Sequence, residues 1–218
     1  MADGSGPLER TRKPDPLRTR EDILRVARDE FAEHGLAGAR VDAIAAGTRT
    51  TKRMIYYYFG SKEGLYLEVL QRAYGDLRTA EVQLDLATLP PADAVRRLLV
   101  TSFDVHEANP RIVRLISNEN LYNGKFLKAS EAIRNVNASV IDTTSAILER
   151  GLREGVFRNR VDPIDLHMMV SAYCFFRVSN RATFGTLFGI DLASDEVKAR
   201  QKQMLCDAVL ALLGYRGL

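Results

Sequence analysis

Thr50-Thr51-Lys52-Arg53-Met54-Ile55-Tyr56-Tyr57-Tyr58-Phe59-Gly60-Ser61-Lys62-Glu63-Gly64-Leu65 is the stretch on which the reading of this chain turns. Either threonine can open a short helix by accepting a backbone N–H bond. Ile55 and Phe59 stand four residues apart, so one apolar face can dock on neighbouring helices while the rest faces outward. Gly60 stops this helix, Ser61 caps the next, and Glu63 suits the positive end of its dipole. From Ala43 to Lys62 the charged residues are Arg49, Lys52, Arg53 and Lys62, with no acid among them. Hydroxyls, then bases, then phenols offer donors to phosphate oxygens and base edges. On spacing alone the same pattern equally describes a solvated face.

Upstream, Ile23, Leu24, Ala27, Phe31 and Ala32 repeat at helical spacing, which predicts a first helix over about 19–34. Thr19 is its expected cap with Asp22 completing a capping box, and Gly35 its left-handed stop. A short second helix follows near 41–46, with Val41, Ile44 and Ala45 inward. Three helices with a tight turn between the second and third outline a helix-turn-helix, whose second member enters the DNA major groove. The pieces Ile23-Leu24…Ala27…Phe31-Ala32-Glu33-His34-Gly35, Val41-Asp42-Ala43-Ile44-Ala45 and Tyr56 to Leu65 resemble the DNA-binding domain of TetR-family transcriptional regulators.

The resemblance implies roles residue by residue. Thr51, Lys52 and Arg53 match the start of the recognition helix, with Thr50 just before it. Tyr56 and Tyr57 match aromatic positions that touch phosphates or thymine methyls. Lys62 matches a lysine that meets the DNA backbone, and Arg40 and Val41 match the start of the second helix. Two positions depart from the pattern. Arg49 stands where the turn usually has glycine; the turn is re-shaped, or Arg49 meets a phosphate. Arg40 replaces the usual Ser or Thr cap; the cap is lost, at roughly 1 kcal/mol, or exchanged for a charge aimed at DNA.

The whole chain has 218 residues, 31 basic and 28 acidic, for a formal charge of +3. Hydrophobic residues make up 46%, which excludes a wholly disordered chain. No apolar run is long enough to span a membrane, so no membrane partner is expected. With no secretory signal at the N-terminus, Cys174 and Cys206 are expected as free buried thiols and the compartment as cytoplasmic. His34, His106 and His167 share no metal-ligand spacing, and no phosphate loop or nucleophile elbow occurs. No catalytic residue, metal or cofactor is expected, and an enzyme is the weak class.

The remaining periodicity is helical throughout. It predicts an all-α protein of about nine helices: a basic tail over 1–17, a helix-turn-helix domain over 18–64, and a helical ligand-binding and dimerisation domain over 65–218. The tail carries Arg10, Arg12 and Lys13, which could follow a minor groove. Asn109 is expected to cap a short helix to about residue 116 or 118, and one long helix is expected over 126–154. Helix 163–183 is apolar almost all round, so it is buried on every side. With helix 194–213 from each subunit it would form a four-helix dimer face, which the resemblance also implies, and a dimer implies palindromic, double-stranded operator DNA.

The resemblance further implies a small-molecule pocket in the body. Candidate lining residues are Phe103, Asn118, Glu119, Tyr122, Phe126, Met168, Tyr173 and Phe176, a few polar groups beside apolar walls. Glu119, if buried, needs an arginine such as Arg114 or Arg177, or a ligand's donors. Arg72, Tyr74 and Leu77 lie on the helix joining body to head and are candidates for transmitting a shift. The expected function is a ligand-responsive repressor. The competing expectation is an architectural DNA-binding protein with no effector, which a filled body core would favour.

Overall fold

The computed structural model describes residues 15–82 and 84–217, with the side chains of 80–82 excluded. The basic tail through residue 14 lies outside the described residues. Within them the chain forms eleven helices and no strand. α1 (Pro16–Gly38), α2 (Val41–Thr48) and α3 (Lys52–Phe59) make the head, and α4 (Lys62–Val82) leaves it for the body. The body comprises α5 (Pro91–Ala108), α6 (Pro110–Leu121), α7 (Lys125–Lys128), α8 (Glu131–Arg153), α9 (Pro163–Ser179), α10 (Arg181–Phe188) and α11 (Asp195–Leu212).

Local chemistry sets most boundaries, with several departures from expectation. α1 begins earlier than expected: Pro16 takes the first helical position and the Asp15 carboxylate accepts from Leu17 N–H, while Thr19 Oγ1 donates to Asp15 O. Gly35 does take a positive φ, 63°, but with ψ 177° it kinks α1 and one more turn follows. Asn109 caps backwards: its amide donates to Val105 O at the end of α5 and makes no side-chain bond into α6. The expected long helix over 126–154 is split, because Ser130 Oγ accepts from Ile133 N–H and starts α8 afresh. Helix 163–183 likewise ends at Ser179, and α10 occupies much of the expected loop. These two extra pieces raise the expected nine helices to eleven.

Two apolar clusters hold the molecule. The first joins α1, α2 and α3 through Ile23, Phe31, Ile44, Ile55 and Phe59, then continues through Leu65, Tyr66 and Leu70 of α4 to Ile112 and Leu115 of α6. The head is therefore packed on the body through one continuous core. The second cluster binds α5, α8, α9 and α11 through Leu99, Phe103, Leu148, Leu166, Cys174 and Val209. Cys174 and Cys206 are both buried and unbridged. No described helix is long and apolar enough to cross a membrane.

Candidate nucleic-acid interface and effector cavity

α3 is docked by the two residues whose spacing marked them: Ile55 is fully buried and Phe59 nearly so. Its N-cap is Thr51, whose Oγ1 accepts from Met54 N–H at 3.2 Å, while Thr50 N–H returns to Ala45 O in the turn. The opposite face is open: Thr51, Lys52, Arg53, Tyr56 and Tyr57 are exposed, Tyr57 by 78%. Hydroxyl, amine, guanidinium and phenol groups thus point to solvent from one short helix. Lys52 Nζ rests on Asp42 at 3.1 Å, an exposed pair across α2 and α3. Such a pair is worth little and yields easily to a phosphate.

The flanking residues divide. Arg49 takes the turn itself, at φ 54° and ψ 28°, with its side chain in solvent. The turn therefore keeps its left-handed shape and the arginine bears the strain. Gly47 is needed for a different reason: a Cβ there would meet Val26 Cγ1 at 2.8 Å, where α2 crosses α1. Arg40 makes no side-chain cap; its own backbone N–H instead donates to Glu30 Oε1 at 2.9 Å, and its side chain is exposed. Val41 is only 6% exposed, so the expectation of a DNA contact there is corrected: its side chain belongs to the head core. Lys62 Nζ donates to Ala37 O at 3.3 Å, closing the end of α1 from the start of α4.

The eight expected effector residues do not gather around one space. Glu119, Phe126, Tyr122 and Asn118 build the joint between head and body. Glu119 is fully buried, and neither Arg114 nor Arg177 pairs with it; Oε1 accepts from the N–H groups of Phe126 (2.7 Å) and Leu127 (3.2 Å). Arg114 pairs with Glu33 and Arg177 with Glu107 instead. Burial first, then the Glu119 charge, pushes the Tyr66 phenol well above its ordinary range. Tyr66 packs edge-on between Phe31 and Phe126, each at 5.1 Å. The Ala37 N–H donates to Tyr122 Oη, and Asn118 donates to Phe31 O. Phe103 lies in the body core beneath the Arg177 guanidinium, 4.4 Å from its ring centre. Met168 is 64% and Phe176 48% exposed, and with Tyr173 they lie towards the outer face of α9.

A separate cavity of about 20 Å³ lies between α5, α8 and α9. That is room for about one water. Its walls are chiefly Val95, Leu98, Leu99, Val140, Ile147, Leu148 and Leu166, with Ser102, Thr144 and His167 as polar exceptions. Behind His167 lies Arg78 of α4, only 8% exposed. Arg78 Nε donates to Asn137 Oδ1 at 3.0 Å, and its NH2 group lies 3.4 Å from His167 Nε2. A guanidinium can only donate, so Nε2 is the acceptor and the histidine proton sits on Nδ1. The sequence expectations missed Arg78, Asn137 and His167. Their one signal was a charged residue next to Leu77 on the inward side of a helix. Among the described residues no His, Cys, Asp and Glu group has metal-binding geometry.

Comparison with known proteins agrees with this layout. The model of "Bacterial regulatory proteins, tetR family" matches residues 23–69, and that of "Tetracyclin repressor-like, C-terminal domain" matches 91–209. The chain is 34% identical over 199 residues to the HTH-type transcriptional repressor NicS of Pseudomonas putida, covering 91% of this chain and 93% of that one. It is 34% identical over 164 residues to the repressor SCO4008 of Streptomyces coelicolor, covering 72% and 77%. Among solved structures, the transcriptional regulator SCO4942 of S. coelicolor matches with a TM-score of 0.67 at 29% identity, over 91% of this chain and 99% of that one. The transcriptional regulator FadR from Bacillus subtilis, solved in complex with stearoyl-CoA, shares the fold at a TM-score of 0.67 and 15% identity, over 88% of this chain and 98% of that one. A capped, outward-facing α3 on a three-helix head, an all-helical body and these matches together place the chain in the TetR family of DNA-binding transcriptional regulators.

Proposed function

We propose that this chain is a ligand-responsive repressor. It acts as a homodimer, grips a palindromic operator with α3, and releases it when a small molecule enters the body. The observation that carries this reading is a single helix: α4 packs into the head core through Leu65 and Tyr66 and, three turns on, passes beside the cavity wall at Arg78. Whatever moves the wall moves the head. Two heads must stand about 34–36 Å apart to enter successive major grooves, so a small tilt of α4 breaks the match. The 1–17, 18–64 and 65–218 division is retained as a working description of tail, reader and sensor.

Dimerisation is assigned to α9 and α11, where Met168, Met169, Phe176 and Met204 leave an apolar face open. A face of this kind on a helical protein marks an interaction surface. DNA contact is assigned to Thr51, Lys52, Arg53, Tyr56 and Tyr57, with Arg40, Arg49 and Lys62 at the flanks. One test is the salt dependence of operator binding, using the DNA upstream of the chain's own coding sequence. Lys52→Ala should weaken binding and lower the salt slope by about one unit. Asp42→Asn should tighten it, because Lys52 no longer has to leave a partner. An unchanged slope in Lys52→Ala removes Lys52 from the backbone contacts.

The cavity volume of about 20 Å³ favours a second reading, in which the protein binds DNA with no effector. The two separate on one measurement. Operator binding is followed with and without a small-molecule extract of the host cell. Release by the extract supports the sensor; indifference to every fraction supports the architectural protein.

A further inference from the structure

We propose that α10 is an exchanged helix: Leu187 and Phe188 of one subunit seat in the apolar groove between α9 and α11 of a second copy, and that copy's α10 returns the contact. The inference rests on the dimer reading above and names the element that closes the dimer. None of the eight residues of α10 is buried. Leu187 is 76% and Phe188 67% exposed. From Ala182 to Ile190 the chain carries no charge, in a sequence that is 27% charged. A surface segment without charges that ends in two large apolar side chains has the composition of an interface core. The exposure does not come from a loose loop. Only Asn180 separates α10 from α9, and both ends of α10 are tied down. At its start Arg181 donates to Glu107 Oε2 of α5 at 2.7 Å. Just past its end Leu192 O accepts from the buried Arg177 at 2.9 Å, and Arg177 also donates to Glu107 Oε1 at 3.3 Å. Ordering a helix costs conformational entropy, and one that fully buries no side chain regains little of it within the monomer. A second copy supplies the missing burial.

The receiving groove is open, has a volume of about 730 Å³, and is walled by apolar side chains except at Arg177, Gln201 and the Tyr173 hydroxyl. Ala172 of α9 and Ala208 of α11 are short and leave a notch in it. Met169 and Met204 beside them are flexible and adapt to the shape that enters. Phe184 lines the groove as well, so each subunit's own α10 borders the site that receives the other. Phe188 stacks on Phe184 at 4.5 Å and Phe184 meets Phe176 edge-on at 5.7 Å, which makes the apolar surface continuous from the α9 face onto α10. Notch and filler occur once each on the same chain. A two-fold contact requires that stoichiometry: every subunit gives one α10 and receives one. The position also matters for DNA binding. Ala32 and Glu33 of α1 share a groove with Arg181 and Ala182, so α10 begins next to the head. A second copy gripped there is held at the level of the two heads, and α10 fixes their separation.

The test uses the full chain. Leu187→Glu should raise the dimer dissociation constant in sedimentation by roughly a hundredfold or more, because two-fold symmetry counts each lost leucine twice. Helical circular dichroism should stay the same, since Leu187 packs on no core cluster of its own subunit. Leu187→Ala, which adds no charge, should act in the same direction and less strongly. A second measurement locates the contact and does not depend on those variants folding. A chain with Leu187→Cys is co-expressed with a chain carrying Met204→Cys and mildly oxidised; Cys174 and Cys206 are buried, so the unaltered chain gives the background. A covalent dimer should form in the mixture and from neither altered chain alone. A covalent dimer from the Leu187→Cys chain alone would place α10 against its own copy and overturn the groove as its seat. A dimer untouched by Leu187→Glu, or an intact dimer that gives no mixed cross-link, leaves the groove to a different occupant, a small apolar molecule or another protein, and overturns the proposal while the α9 and α11 dimer stands. An unaltered chain that sediments as a monomer at every concentration overturns the dimer reading itself, and this inference with it.

Discussion

Arg49 holds φ 54° in the turn between α2 and α3, a conformation that crowds the Cβ of any L residue. Glycine would relieve that crowding, at the cost of a freer unfolded chain. The left-handed region costs a non-glycine residue roughly 1–2 kcal/mol, and glycine's added entropy takes back about 0.5–1 kcal/mol. Arg49→Gly should therefore stabilise the fold slightly, by about 0.5–1 kcal/mol, which a urea midpoint will show. The same change removes an exposed cation beside α3. If Arg49 meets a phosphate, operator affinity falls and its salt slope shrinks by about one unit even as stability rises. Opposite movements of stability and affinity are the expected outcome. Equal affinity would mean the strain serves only the turn. The cap at Thr51 makes the converse case: Thr51→Ala should cost roughly 1 kcal/mol through the lost bond to Met54.

At the level of elements, the joint of α4, α6 and α7 is where head meets body, and Glu119 is its polar pin. One carboxylate oxygen satisfies two backbone donors at the start of α7; the other, and the Tyr66 hydroxyl, are buried without a hydrogen-bond partner. Glu119→Ala strips the acceptor from one buried and one part-buried N–H group and should cost about 2 kcal/mol in chemical denaturation. Glu119→Gln keeps an acceptor for them and removes the charge facing Tyr66, so it should cost less than half as much. A glutamine as damaging as alanine would mean the charge, not the acceptor, holds the joint. Sequence periodicity made the head legible, because caps, stops and the Ile55–Phe59 pair all lie within a few residues of one another. It identified Glu119 as a residue in need of partners but named the wrong ones, since backbone N–H groups carry no side-chain signature. The Ser130 cap and the small helix α10 were hidden inside unbroken helical spacing. The cavity was hidden for a deeper reason: periodicity tells which face of a helix is inward, not which of the other helices it meets.

For the whole molecule, a net charge of +3 understates the affinity for DNA, because α3 carries bases and no acid of its own, with Asp42 of α2 resting on Lys52 as an exposed and easily displaced partner. Each head alone offers few phosphate contacts, and non-specific binding by such a unit is weak at physiological salt. Two heads on one rigid frame change that, since the second half-site is then met at a high effective concentration. In the proposed dimer that frame is the apolar face of α9 and α11, where Met168, Phe176 and Met204 are 64%, 48% and 52% exposed in the single chain. These side chains lie outside the two core clusters, and of the three Phe176 meets a ring edge-on, Phe184 of α10 at 5.7 Å, so charging Phe176 and Met204 should leave the main fold intact. Phe176→Glu combined with Met204→Glu should convert the dimer to a monomer in sedimentation, with unchanged helical circular dichroism. Like charges would meet across a two-fold axis, where each substitution faces its own copy or its neighbour's. Operator affinity should then fall by about 10²–10⁴-fold, the gain that linkage had supplied. The salt slope should fall towards half, because half the phosphates are released. A monomer that kept full affinity would assign the two-head geometry to some other surface, and with it the coupling between α4 tilt and release.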